Sequence, residues 1–304
     1  MPDASPWNDL SRPPLRATAL RRALVDPAGP WTSFDVLAST GSTNADLAAR
    51  AGAGTVVDGA VLSTDHQTHG RGRRERSWTA PPRSSIAVSA LVVPRDVPQA
   101  RWSWLPLLTG LAVAAALTDT AGVEVALKWP NDVLVEVDSD GDGDCDGSGE
   151  GSWRKLGGIL AQVVPTPAGA GVVIGIGLNV LQRADELPVA SAASLTTAAA
   201  TSTARDTVLR AVLRALGEWL QRWRAAAGDP EASGVGPAYR QACRTLGRPV
   251  EVHLPDGSVL AGVAASVDQD GRLVVRPADG SPARALAAGD VVHVRGQHSC
   301  GQDS

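Results

Sequence analysis

Two lysines, Lys128 and Lys155, stand among twenty-six arginines in this 304-residue chain. They fall in KWPND (128–132) and KLGGI (155–159), where a cation meets an amide and a carboxylate, or paired glycines. Arginine serves everywhere else, so these positions mark places where a compact, strongly hydrated ammonium is wanted rather than a planar guanidinium. Asparagine behaves alike: of four in the chain, Asn44, Asn131 and Asn179 lie in short polar-and-glycine stretches. The stretch THGRGRRER (68–76) then sets Arg71, Arg73, Arg74 and Arg76 around Gly70 and Gly72. Glycine lets backbone amides approach an anion closely, and guanidinium forks match carboxylate and phosphate oxygens in pairs. The chemistry these residues share is the capture of anions.

Each stretch also has a plainer reading. An arginine cluster fits a solvated basic loop or a nucleic-acid contact. Its superficial GxGxxG pattern is not a dinucleotide fingerprint, because Glu75 replaces the last glycine and no βαβ unit follows. Pro-Asn-Asp suits an ordinary turn, but a turn does not explain the rare lysine or Trp129. In KLGGILAQ (155–162), Gly157 and Gly158 leave room for a ligand against a strand; GIGLNV (175–180) ends another strand on Asn179. Alone, the latter is equally a glycine-weakened core strand.

The bulk properties narrow the class. An apolar content of 43% supports a real core, and a net charge of −4 argues against a general nucleic-acid binder. Cys145, Cys243 and Cys300 show no metal-ligand spacing, and an odd count suits a reducing compartment. The N-terminus lacks a signal-peptide pattern, and the apolar stretch from Trp104 to Leu117 is too short to span a bilayer. A cytoplasmic protein is expected, with no membrane partner. The acidic stretch 137–153 mimics the start of an EF-hand at Asp138, Asp140, Asp142 and Gly143, but Gly149 stands where the closing carboxylate belongs. It reads as an acidic hairpin tip. His66 and His69 lack a third ligand nearby and read as surface histidines, so no protein metal site is expected.

The elements that must position these residues follow from periodicity and caps. Residues 1–16 are polar, proline-rich and expected to be mobile. Helices are predicted over Leu15–Leu24, Thr40–Ala51 (Thr43 and Asp46 forming a capping box), 100–120, and Asp206–Ala226 with Asp206 as N-cap and Gly228 as stop. Strands are predicted over Val56–Ser63, Ile86–Val93, Val123–Leu127, Val133–Val137, Leu156–Val164 and Val172–Ile176, with a polar loop over Thr64–Arg83. After Gly247, short alternating strands and tight turns suggest a small closed β-barrel, with a boundary near 240–247.

In order, STN (42–44), DHQTHGRGRRER (65–76), KWPNDVLV, KLGGILAQ and GIGLNV resemble the signature set of the biotin protein ligase family. The resemblance runs from about residue 34 to 296. It implies an α+β fold: a largely antiparallel mixed sheet with helices, like class II aminoacyl-tRNA synthetases, followed by a small SH3-like β-barrel. The implied division is 1–30 as a partly disordered N-terminal extension, 31–243 as the biotin- and ATP-binding catalytic domain, 244–296 as the SH3-like domain, and 297–304 as a tail. The implied activity joins biotin and ATP into biotinyl-5′-AMP, then transfers biotin to a lysine of a biotin carboxyl carrier domain.

The same resemblance implies roles residue by residue. Ser42, Thr43, Asn44, Gln67, Arg71, Gly72, Arg73 and Lys155 would bind biotin. Arg73, Arg74, Trp78, Lys128, Asn131 and Asn179 would bind the nucleotide. Lys155, Arg73 and Asp132 would be catalytic, Asp132 lying where the acceptor lysine arrives, and Mg²⁺ would accompany ATP. About thirty residues precede the catalytic region, too few for the DNA-binding domain of some relatives, so no DNA partner is expected; monomer and homodimer both remain open. Glu75 stands where the family usually has glycine. The rival activities are a lipoate or octanoate transferase of related fold and a non-catalytic biotin- or nucleic-acid-binding module.

Overall fold

The computed structural model describes residues 9–137, 153–287 and 289–293; the EF-hand-like acidic stretch, the C-terminal tail and the side chain of Glu75 lie outside them. A seven-stranded sheet runs in the order β1-β2-β5-β9-β8-β7-β6. Its strands are β1 (Ser33–Leu37), β2 (Ala60–Thr64), β5 (Ser85–Val92), β6 (Val125–Lys128), β7 (Asp132–Glu136), β8 (Trp153–Thr166) and β9 (Gly169–Asn179). Only β1 and β2 pair in parallel. A short hairpin, β3 (Gly70–Arg71) with β4 (Ser77–Trp78), carries the arginine loop at its tip.

Alternation along the central strands assigns the two faces. Ile86, Val88, Ala90 and Val92 of β5, with Val172, Ile174, Ile176 and Leu178 of β9, enter the large core. That core is closed by α1 (Ala17–Leu24), α3 (Trp104–Ala121), α4 (Arg205–Ala225) and α5 (Val235–Ala242). The other face holds a smaller cluster of Leu62, Leu91 and Val173 under Leu47 and Ala51 of α2 (Thr43–Gly52). The period of two therefore turns Gly175 and Gly177 away from the large core, beside the N-terminus of α2.

One irregularity decides where Lys155 points. On β7, Val133 pairs with Gly157 but Leu134 pairs with Lys155, so Leu156 is an extra residue on β8. Strict alternation from the core residue Ile159 would send Lys155 into the core. The bulge lets Leu156 take the buried position and turns Lys155 to the opposite face.

The C-terminal residues form a five-stranded antiparallel sheet, β13-β12-β11-β10-β14. Its strands are β10 (Pro249–His253), β11 (Val259–Val267), β12 (Leu273–Pro277), β13 (Arg284–Leu286) and β14 (Asp290–His293). Among the described residues β13 and β14 do not pair. Val250, Val252 and Val275 join the large core, and two indoles tie the units together. Trp104 Nε1 donates to Gln269 O at 2.8 Å, and Trp129 Nε1 donates to Gly271 O at 3.1 Å. The tryptophan of KWPND is thus a buried peg into the C-terminal sheet.

Several local expectations are corrected. The N-cap of α2 is Ser42, whose φ of −158° is extended, while Thr43 is already helical. Asp206 is not the cap of α4 either; it lies in the first turn, and its carboxylate accepts from the backbone and guanidinium of Arg16. Residues 9–16 are anchored rather than mobile: Arg12 is 6% exposed and donates to Leu181 O at 3.2 Å, and Leu15 N donates to Asp65. The first helix begins at Ala17, after Arg16 with the non-helical angles φ −82° and ψ 78°. Strand β2 begins at Ala60, since Gly59 at φ +84° breaks the extended run. Strand β1 and helix α5 were not anticipated. Helix α3 runs four residues past Leu117, which makes it the one described helix of membrane-crossing length and apolarity, but 67% of that window is buried inside the fold.

Candidate active site

The glycine-bearing face of the sheet, the N-terminus of α2, the arginine hairpin and the C-terminal sheet enclose a cavity of about 1000 Å³. Every residue to which the resemblance gives a binding or catalytic role lines it: Ser42, Thr43, Asn44, Gln67, Arg71, Gly72, Arg73, Arg74, Trp78, Lys128, Asn131, Asp132, Lys155 and Asn179.

The floor is a neutral hydrogen-bond network. Ser42 Oγ accepts from Ala45 N, so the helix start is capped from within. Thr43 donates its backbone N–H to Gln67 Oε1 at 2.8 Å, with its hydroxyl 3.1 Å from the same oxygen. Ser89 donates to Asn44 Oδ1 at 2.6 Å, while Asn44 Nδ2 donates to Leu160 O at 3.1 Å. Asn44 therefore rivets α2 to the sheet with both ends of its amide. A Cβ on Gly175 would lie 2.1 Å from Asn44 Oδ1, so only glycine admits this contact. Gly177 does the same for Trp78, whose ring atoms lie 2.9–3.2 Å from where a Cβ would stand. The buried Trp78 Nε1 has no hydrogen-bond partner among the described residues. A buried orphan donor costs about 1–3 kcal/mol, and a ligand acceptor would recover it.

The walls and roof are charged. Lys155 Nζ meets Asp132 Oδ1 at 2.5 Å. Lys128 ends β6 beside it, and burial pushes its pKa down while Asp132 pulls it up. Arg73 donates to Asn131 Oδ1 at 3.3 Å, and burial likewise lowers its pKa. Asn131 is held in turn by Ile159, donating Nδ2 to its carbonyl at 3.0 Å and accepting its N–H at 3.0 Å. Asn179 donates to Ala193 O at 3.0 Å and accepts from Gln182 at 2.9 Å. Its amide is committed to the segment whose Ser191 and Ala193 hydrogen-bond the backbone of Lys155. Asn179 thus acts on the site through that segment.

Other lining residues carried no sequence signal. Arg244 stacks on Trp153 with its guanidinium carbon 4.4 Å from the ring centroid. His253, Asp290 and His293 reach the cavity from the C-terminal sheet, more than a hundred residues from the motifs they face. Asp290 accepts from Arg76 and lies 3.6 Å from Arg74, which donates to His253 O at 2.8 Å. The pKa of His293 is lowered to about 4 by burial and by Lys128, Arg248 and Arg244, so its imidazole is neutral near pH 7. Among the described residues, eight lysine and arginine side chains line the cavity against two aspartates, in a chain whose net charge is −4.

Residues 37–179 match the Biotin/lipoate A/B protein ligase family, and residues 245–294 match the Biotin protein ligase C terminal domain. The Biotin–[acetyl-CoA-carboxylase] ligase of Mycobacterium tuberculosis (strain ATCC 25618 / H37Rv) is 40% identical over 290 residues, covering 94% of this chain and 98% of that protein. The chain belongs to the biotin protein ligase family. The bifunctional ligase/repressor BirA of Escherichia coli (strain K12) is 28% identical to this ligase over 80% of the chain and 69% of BirA. The biotin protein ligase from Aquifex aeolicus in complex with biotin and ATP shares its fold, with a TM-score of 0.66 at 24% identity over 88% of this chain and 100% of that one. The ligase thus has the mixed sheet and the C-terminal antiparallel sheet of that fold.

Proposed function

We propose that this ligase activates biotin with ATP and transfers it to one lysine of a biotin carboxyl carrier domain, in the cytoplasm. Residues 31–243 form the catalytic domain and 244–296 the SH3-like domain that completes its roof. The observation that carries this reading is the division of one cavity into a neutral, hydrogen-bonding floor and a cationic roof. Biotin presents a neutral ureido head and an anionic tail, and ATP presents phosphates, so one substrate spans both regions and the other needs the roof.

In the first step a biotin carboxylate oxygen attacks the α-phosphorus of ATP, the bond to the β-phosphate oxygen breaks, and pyrophosphate leaves. Two anions must meet, and preorganised cations lower that barrier most where water is excluded. Ser42, Thr43, Asn44 and Gln67 receive the head group. Arg71, Gly72 and Arg73 close over biotin and the adenylate. Lys155 holds the carboxylate and the α-phosphate, exchanging Asp132 for the substrate, and Lys128 adds charge near the nucleotide. Arg74, Trp78, Asn131 and Asn179 shape the nucleotide side. In the second step the carrier amine attacks the acyl carbonyl, the bond to AMP breaks, and the amine gives up a proton. The contact of Asp132 with Lys155 supports its receiving that proton or orienting the amine.

Mg²⁺ enters as the complex of ATP, neutralising phosphate charge. Among the described residues no group of three His, Cys, Asp or Glu side chains could hold a metal ion by itself.

Incubating the ligase with ATP, biotin and a carrier domain, then mapping the carrier by mass spectrometry, tests the whole reading. One biotinylated lysine is expected. Preferential attachment of lipoate or octanoate, or no attachment, contradicts it.

A further inference from the structure

The two steps above give Asp290 no task, yet it sits where the arginine loop meets the C-terminal sheet. Its Oδ2 accepts from Arg76 and lies 3.6 Å from Arg74 Nη1, and Arg74 is also fastened to His253 O at 2.8 Å. Arg74 holds a left-handed backbone with φ 52°, which non-glycine residues seldom adopt without tertiary restraint. Of the two carboxylates that line the cavity wall among the described residues, Asp132 is taken by Lys155, and Asp290 serves the roof. Its charge also reaches the buried Arg73 and Lys128. A carboxylate that engages two guanidiniums makes the contacts a phosphate oxygen would make.

We propose that Asp290 is a positioning residue that competes with the β- and γ-phosphates for Arg74 and Arg76, and so hastens release of pyrophosphate. This rests on the adenylation proposed above. ATP, with several negative charges, displaces a single carboxylate from the two arginines while it is bound whole. Once the α-phosphorus bond breaks, pyrophosphate is no longer tethered to the adenylate and its effective concentration at the arginines falls. Asp290 stays tethered through β14, so it recovers both guanidiniums. The arginine loop then returns to the position it holds here, against the C-terminal sheet.

The test compares the full-length wild type with Asp290→Asn and Asp290→Glu, using inorganic pyrophosphate as the probe. In Asp290→Asn, pyrophosphate inhibits biotin transfer roughly three- to tenfold more strongly, the scale of losing two partly exposed ion pairs, and the KM for ATP falls. Asp290→Glu restores the wild-type inhibition. Damage to the fold would weaken every ligand, so tighter binding cannot come from misfolding. Unchanged or weaker inhibition in Asp290→Asn overturns the proposal. Calorimetric titration of pyrophosphate into both proteins separates this inference from the functional reading, because it needs no turnover. Tighter binding to Asp290→Asn supports the competition even if adenylation itself fails, and equal or weaker binding refutes it.

Discussion

The floor of the cavity and its roof are built by opposite means. The floor is neutral and buried, and its side chains answer one another: Gln67 to Thr43, Ser89 to Asn44, Asn44 to the carbonyl of Leu160. It tolerates almost no change of shape, since glycine alone fits beneath Asn44 and Trp78. The roof is charged, and its arginines are fastened at their ends to Asn131, His253 and Asp290. Shape selects a neutral group by fit, whereas charge gathers anions from a distance and is indifferent to small displacements. Lys155 stands at the seam, which is why a bulge is used to place it.

That contrast can be broken at the seam first. Lys155→Arg keeps the charge but replaces a point cation with a fork, and adenylation is expected to fall about a hundredfold, the scale of one lost transition-state contact. Pyrophosphate exchange should show the loss while the melting temperature stays within a few degrees. Near-normal exchange would mean that the seam needs only charge, as the roof does.

On the floor, Gly175→Ala forces a Cβ to 2.1 Å from Asn44 Oδ1 and is expected to cost about 2 kcal/mol of stability in urea unfolding. Adding Asn44→Ala should recover part of that loss, because the two sites share one contact. Strict additivity would show that the floor yields more than the geometry allows.

A smaller effect is expected at Trp78. Replacing its indole with Phe removes an orphan N–H, so the free protein should hold its stability or gain some. The KM for ATP should rise roughly threefold to fivefold, as for one modest hydrogen bond. A drop in the stability of the free protein, with the KM unchanged, would make Trp78 a packing residue rather than a nucleotide contact.

The smallest effect concerns pH. The pKa of His293 is depressed to about 4 in the folded protein against roughly 6.5 when unfolded. Between those values the unfolded chain binds the extra proton, so stability is lost as pH falls from 6.5 toward 4 and is fully present above that window. His293→Gln should flatten this part of the profile in thermal melts. An unchanged slope would mean that another group in the roof carries it.

Much of this was legible in the chain because the site is written in short runs. STN, GRGRR, KWPND and KLGGI each bring their own local geometry, so their residues converge once the strands pair. What escaped depends on distant partners. Asp290, lying in the plain dipeptide Gly289-Asp290, pairs with arginines more than two hundred residues earlier, and no periodicity marks that. The bulge at Leu156 adjoins Gly157 and Gly158, but only the pairing with β7 shows which residue of β8 is the extra one. Ser42 and Thr43 are neighbouring hydroxyls, and only the backbone angle shows which one caps the helix. Residues 9–16 looked mobile for their prolines, but Arg12 finds Glu186 and Leu181 across the fold. Strand β1 was hidden because Asp35 interrupts its apolar run; Arg21 and Arg50 pair with that carboxylate at the sheet edge.

The central claim is that the cationic roof and the seam lysine join biotin's carboxylate to the α-phosphate of ATP. Exchange of labelled pyrophosphate into ATP, measured without a carrier protein, tests it most directly. Exchange that requires biotin and is strongly reduced in Lys155→Arg is expected. Exchange that proceeds equally without biotin, or none at all in the wild type, would contradict it.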